Sequence, residues 1–274
     1  MTVRNLSRCL RDSVVKTSSA NPLLGTIFQH SSHQHFATVD STNKQGMKGA
    51  SEGAPEGAIF TADEQTAGRG RGDHSWHSPA GQGLYVSIVL RPQLAPHDVL
   101  WLSLIAGLAV HSAIKEVTTI AVDLRWPNDI MLRDKKLGGI LTELGTESGR
   151  INHAVVGIGL NINQPQFPAE LASLATSLRI ETDREWPRED ILVALLRAID
   201  REYRALSQSP AATQDIVRHF EQSSSYAHGA RVADDDHGAA QFSGVTQGLD
   251  ARGFLRVRTR DGLRTVMSGG VRKI

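Results

Sequence analysis

Two periodicities divide the chain. Up to about residue 165 the apolar residues fall in short blocks or alternate with polar ones, whereas from Trp186 they recur every third or fourth position. In the first part, "HFATVDSTN" predicts a short strand ending in turn-forming residues, and "SEGAPEG" a Gly/Pro-rich loop. "AIFTADEQ" and "LYVSIVLRP" predict two strands, the second rich in Tyr85, Val86, Ile88 and Val89 and closed by Pro92. Pro96 to Val117 predicts a helix buried on most sides, and "AVDLRW" a strand. "DIMLRDKKLGGILTEL" predicts a hairpin turning near Asp134 to Lys136, and "HAVVGIGLNIN" a further buried strand.

Leu192, Leu195, Leu196, Ile199, Tyr203 and Leu206 form the apolar face of an amphipathic helix, which predicts a core contact, and a second short helix follows. From His228 onward short β segments alternate with Gly and Asp turns, as in a small all-β barrel. The expected organisation is an N-terminal extension (1–35), an α/β (α+β) mixed-sheet domain (36–225) and a small barrel (226–274), with no internal repeat. The longest apolar run, Val99 to Val110, is broken by Ser103 and Gly107 and is too short to cross a bilayer.

Composition narrows the function little. The 274 residues hold 30 Lys and Arg against 29 Asp and Glu, so any positive site is local, and neither a nucleic acid nor a membrane is an expected partner. Cys9, the single cysteine, precludes an intrachain disulfide and fits a reducing, cytoplasmic setting. The N-terminal twenty residues lack the apolar stretch and cleavage site of a secretory signal.

The candidate chemistry begins with "TAGRGRGDHSWHS", which joins two predicted strands. Gly68, Gly70 and Gly72 would let backbone N–H groups approach an anion, and Arg69 and Arg71 would add paired donors. A mobile basic surface loop would look the same, and the segment fits neither the P-loop nor the dinucleotide fingerprint. In "RWPNDIMLRDKKLGGILTE", Asn128 and Asp129 at a strand end would line a cleft or simply form a turn, and Lys136 would reach an anion or simply be solvated. His30, His33 and His35, and Asp234 to Asp236 with His237, lack recognised metal-ligand spacing and read as solvated surface.

Four motifs in order, "STN" (Ser41 to Asn43), "QTAGRGRGDHSWHSP", "RWPNDI…KKLGGILTE" and "VVGIGLNIN", resemble the biotin protein ligases (biotin–[acetyl-CoA-carboxylase] ligases). The resemblance covers roughly residues 36 to 180. It implies a catalytic domain of the biotin/lipoate ligase type with an SH3-like C-terminal domain. It further implies an enzyme that uses ATP and Mg²⁺ to make biotinyl-5′-AMP, then passes biotin to a lysine of a biotin carboxyl carrier protein. By this resemblance Ser41, Thr42, Asn43 and Gln65 would bind biotin, with Gly70 and Gly138 nearby and Trp76 covering the ligand. Arg69, Arg71 and Lys136 would contact both biotin and the adenylate, and Trp76, Asn128 and Asn161 would also bind the adenylate. Lys136, Arg71 and Asp129 would be catalytic, Asp129 orienting or deprotonating the acceptor lysine. The metal ligands stay open, with Mg²⁺ expected on the ATP phosphates.

Arg125 departs from the lysine usual before Trp-Pro-Asn-Asp, keeping charge but not shape. About 35 residues precede the motifs, few for the winged helix-turn-helix of relatives that repress transcription, so a biotin-responsive regulator is the weaker expectation. A lipoate or octanoate ligase is the nearest alternative, and a homodimer is compatible with either.

Overall fold

In a computed structural model the described residues are 3–5, 21–72, 74–208, 212–234 and 242–274. The main sheet contains β1 (Val3–Asn5), β2 (Ser32–Val39), β3 (Ile59–Gln65), β4 (Gly83–Leu90), β5 (Asp123–Arg125), β6 (Asp129–Leu132), β7 (Lys135–Glu147) and β8 (Arg150–Asn161). Its order is β1-β2-β3-β4-β8-β7-β6-β5, mixed because β2 and β3 are parallel while every other pair is antiparallel.

Burial explains why β4 reads as a continuous apolar run. All eight of its residues are buried, since α1 (Thr42–Ser51) covers one face of the sheet and α2 (Leu100–Thr118) with α4 (Arg188–Gln208) covers the other. By length and composition α2 could span a membrane, which the sequence reading excluded on the shorter run Val99 to Val110. Here most of its surface is spent in the core, where Leu102, Leu104, Ala106 and Ile114 are fully buried against α4, β7 and β8. The stripe Leu192, Leu195, Leu196, Ile199 and Tyr203 packs in the same core, as its spacing predicts. A short α3 (Leu178–Thr182) begins with Ser177 Oγ accepting from the Ile180 N–H at 3.0 Å, and α5 (Ala212–Gln222) follows α4.

The second sheet is β9 (His228–Asp234), β10 (Ser243–Leu249), β11 (Leu255–Thr259), β12 (Gly262–Val266) and β13 (Val271–Lys273), antiparallel in the order β12-β11-β10-β9-β13. It is held to the first by Trp126, whose buried Nε1 donates to the Gly253 carbonyl at 2.9 Å, and by Lys273, whose Nζ lies 3.1 Å from Asp134 Oδ1.

Several sequence expectations need correction. Leu23 and Phe28 are core residues, 1% exposed, and β2 starts at Ser32, so much of the expected extension belongs to the main fold. The Ser-Thr-Asn segment opens helix α1 instead of closing a turn. The β6–β7 turn is at Arg133 and Asp134, both at positive φ (49° and 60°), as in a two-residue type I′ hairpin. Lys136 therefore lies inside β7. Cys9 and Asp235, Asp236 and His237 lie outside the described residues.

His33 is buried, contrary to a solvated reading, because β2 alternation puts it beside His35 on the face carrying Thr61 and Asp63. Its Nε2 lies 2.6 Å from Thr61 Oγ1, His35 Nδ1 is 3.1 Å from the same oxygen, and His35 Nε2 reaches Asp63 at 3.1 Å. Desolvation, helped by the neighbouring His35 charge, lowers His33 from 6.5 to about 4. Between those values the unfolded chain binds more protons than the folded one, so this contribution leaves stability intact above pH 6.5 and erodes it as pH falls toward 4. In His33→Gln, acid unfolding followed by circular dichroism is expected to be flatter through that window; an unchanged acid limb would contradict the assignment.

Candidate active site

The floor of the site is a flat patch of two strands. On the α1 face of the sheet, β8 presents Gly157 and Gly159, and β7 presents Gly139 opposite Gly159. Side chains there are excluded by what lies above. A Cβ on Gly157 would sit 1.9 Å from Asn43 Oδ1, and one on Gly159 would sit 2.4 Å from Trp76 Nε1. Gly138 faces the opposite way, against Leu160, so that any contribution it makes to a ligand is through its backbone.

One wall is the start of α1. Ser41 holds the N-cap in an extended conformation without its side chain capping the helix, and Thr42 N–H donates to Gln65 Oε1 at 2.9 Å. Thr42 Oγ1 lies 3.1 Å from the same Gln65 oxygen and 2.8 Å from Ser87 Oγ. Ser87 Oγ in turn donates to Asn43 Oδ1 at 2.6 Å. Asn43 Nδ2 donates to the Leu141 carbonyl (3.1 Å) and to Glu143 Oε2 (2.9 Å), while Gln65 Nε2 donates to Ser78 Oγ at 2.8 Å.

The other wall is the glycine-rich loop between β3 and β4, folded back on itself by Gly70 N–H to His74 O (2.7 Å) and Trp76 N–H to Gly68 O (2.8 Å). Its cations rest on acceptors from the sheet: Arg69 Nη1 is 3.0 Å from Glu143 Oε1, and Arg71 Nη1 donates to Asn128 Oδ1 at 3.5 Å. Trp76 lays its ring on Gly159, with its N–H buried and without a protein partner. Lys136 Nζ stands 5.7 Å from the ring centroid.

Asp129 is the electrostatic centre of this wall. Its Oδ1 is 2.6 Å from Lys136 Nζ, and its Oδ2 accepts from Arg125 Nε (3.1 Å) and Nη2 (2.5 Å). Burial alone would raise the carboxyl, but the Lys136 ammonium and the Arg125 guanidinium overcome it and hold the group below the ordinary carboxylate range. With both oxygens engaged by cations, Asp129 is not arranged to ligate a metal. No group of three His, Cys, Asp or Glu among the described residues is suited to one. Asn128 Nδ2 donates to Ile140 O at 2.9 Å, and Asn161 Nδ2 reaches Lys136 O at 3.5 Å, so both brace β7.

The sequence-predicted residues thus converge on one surface: Thr42, Asn43, Gln65 and Arg69, which meets Glu143 beside Asn43, at the α1 end, and Arg71, Trp76, Asn128, Asp129, Lys136 and Asn161 at the other. Sequence reasoning missed Ser87, Glu143, Gly139, Gly157 and Gly159. The Gly-x-Gly spacing of β8 carried a signal, because residues two apart on a strand share a face.

Residues 36–161 match the biotin/lipoate A/B protein ligase family. The chain is 32% identical over 270 residues to a Bacillus spizizenii bifunctional ligase/repressor BirA, covering 96% of this chain and 78% of the relative. It is 30% identical to a Mycobacterium tuberculosis biotin–[acetyl-CoA-carboxylase] ligase, covering 90% and 88% respectively. Its fold superposes on an Aquifex aeolicus biotin protein ligase in complex with biotin and ATP, with a TM-score of 0.75, 31% identity, and 88% and 99% of the two chains covered.

Gly159→Ala is expected to lift Trp76 from the floor, because the new methyl would occupy the position of the indole N–H. Tryptophan emission should shift to longer wavelength and proteolysis between residues 68 and 78 should accelerate. Unchanged cleavage would mean the ring is not seated there.

Proposed function

We propose, for a chain that belongs to the biotin/lipoate A/B protein ligase family and within it to the biotin protein ligases, a two-step reaction through biotinyl-5′-AMP on this surface. In the first step the biotin carboxylate attacks the α-phosphorus of ATP and pyrophosphate leaves. In the second, a lysine amine of a biotin carboxyl carrier protein attacks the acyl carbon and AMP leaves. The observation that carries this reading is the convergence on one glycine floor of a neutral hydrogen-bonding end and a cationic end.

The neutral end, Ser41, Thr42, Asn43 and Gln65, suits the ureido ring of biotin. At the other end the reaction concentrates negative charge around one phosphorus, which Lys136, Arg69, Arg71 and the loop N–H groups, including that of Gly70, would stabilise in place of water. Mg²⁺ would arrive as part of the nucleotide substrate, neutralising its phosphates. Asn128 and Asn161 would fix the edge of β7 against which the adenylate lies. Trp76 would leave Gly159 to cover the bound ligand, limiting hydrolysis of the mixed anhydride.

Asp129 serves this scheme as an orienting group. An ionised carboxylate already shared by two cations is a weak base, but it aims Lys136 along the floor and can later align an incoming ammonium. Arg125 satisfies one oxygen with two donors, where a lysine would offer a point charge, so Lys136 can turn to phosphate without stranding Asp129.

Pyrophosphate exchange into ATP, compared for biotin, lipoate and octanoate, tests the first step. Exchange supported by biotin is expected; exchange supported only by lipoate or octanoate would move the chain to the other branch of the family. Lys136→Ala is expected to lower that exchange by about 100-fold or more, the scale for losing one preorganised charge. Its thermal stability should fall only modestly, because Arg125 still neutralises Asp129. Parallel losses of activity and melting temperature would contradict the role.

A further inference from the structure

The hydrogen bonds at the α1 end do not balance. Three oxygen–oxygen contacts run in series, from Asn43 Oδ1 to Ser87 Oγ (2.6 Å), on to Thr42 Oγ1 (2.8 Å), and on to Gln65 Oε1 (3.1 Å). Only two hydrogens are available to fill them, one on each hydroxyl. The amide orientations are not free to supply another. Asn43 must turn Nδ2 toward the Leu141 carbonyl and the Glu143 carboxylate, which can only accept, so Oδ1 faces Ser87. Gln65 turns Nε2 toward Ser78 Oγ, whose own hydrogen goes to Trp76 O, and its Oε1 faces Thr42.

The shortest contact decides where the hydrogens lie. Ser87, fully buried, gives its hydrogen to Asn43 Oδ1, because two bare oxygens at 2.6 Å would repel. With the one Ser87 hydrogen spent on Asn43, the 2.8 Å Ser87–Thr42 contact, shorter than the 3.1 Å contact to Gln65, takes the Thr42 hydrogen. What remains is Thr42 Oγ1 and Gln65 Oε1, 3.1 Å apart with no hydroxyl hydrogen between them; Gln65 Oε1 accepts the Thr42 backbone N–H at 2.9 Å and keeps one lone pair free.

We infer that Ser87, oriented by Asn43 and Glu143, is a specificity-determining positioning residue: it turns the Thr42 hydroxyl away from the ligand, so the pocket presents paired acceptors and selects a ring bearing N–H donors. This rests on the proposed biotin site and deepens it. A cyclic urea supplies the missing hydrogen, whereas a dithiolane or an alkyl chain offers none to Thr42 Oγ1 or to the second lone pair of Gln65 Oε1, whose first accepts the Thr42 N–H. A site built to bond a donor rejects the analogue without one far more strongly than an apolar pocket distinguishes shapes. The other oxygen of Glu143 holds Arg69, one of the loop cations proposed to meet the phosphate, so the chain of hydrogen bonds ends on that cation.

The test is Ser87→Ala in pyrophosphate exchange and in biotin calorimetry, beside the unmodified protein. Freed of Ser87, the Thr42 hydroxyl would donate to Gln65 and occupy the acceptor pair. The KM and Kd for biotin should rise about three- to tenfold, the range for one net hydrogen bond. The KM for ATP and the kcat should stay within about twofold. Ser87→Thr, which restores the hydroxyl, should recover part of the affinity if the methyl is accommodated, and the melting temperature of each variant separates misfolding from lost recognition. Unchanged biotin affinity in a folded Ser87→Ala would overturn the inference, as would an equal rise in the KM for ATP. No biotin binding by the unmodified protein would instead overturn the functional reading beneath it.

Discussion

The site is governed by charge balance under partial burial. Arg69, Arg125 and Lys136 line a surface partly withdrawn from water, where cations are stable only beside anions. Two carboxylates provide them: Glu143 meets Arg69, and Asp129 meets both Arg125 and Lys136. The ion pairs are therefore complete without a ligand, and in the proposed reaction a phosphate or carboxylate would enter by exchanging partners with groups already in place. Exchange of this kind needs little reorganisation, which is the condition for strong electrostatic stabilisation of a developing charge.

The fold supplies the geometry for that exchange. A mixed sheet sandwiched between α1 and the α2–α4 layer fixes β7 and β8, and their antiparallel register sets Gly139 beside Gly159. The glycines keep the floor low, the loop lays Trp76 on it, and α1 brings its first residues to the far end. The second sheet is tied to the same region through Trp126, two residues before Asn128, so displacement of one sheet against the other would be felt at Asp129.

Much of this was legible in the sequence because it depends on local pattern. The continuous apolar run of β4, the stripe on α4 and the turn spacing after His228 each follow from periodicity. Helix α1 was missed because Gly46 and Gly49 weaken its propensity and Lys44, Gln45 and Lys48 leave it scarcely amphipathic; it is stabilised by packing on Phe60 and Val155. Lys136 was placed in a turn because two left-handed residues, Arg133 and Asp134, end the turn earlier than composition suggests. Ser87 and Glu143 were invisible for another reason. A serine in a β run and a glutamate at the end of a motif gain meaning only from the register that puts them beneath Asn43.

A crystal structure with a non-hydrolysable analogue of biotinyl-AMP would test the exchange of partners most directly. The account predicts that Lys136 Nζ leaves Asp129 Oδ1 for the phosphate mimic while Arg125 stays on Oδ2. Lys136 still bound to Asp129, with the ligand's anionic group held elsewhere, would contradict it.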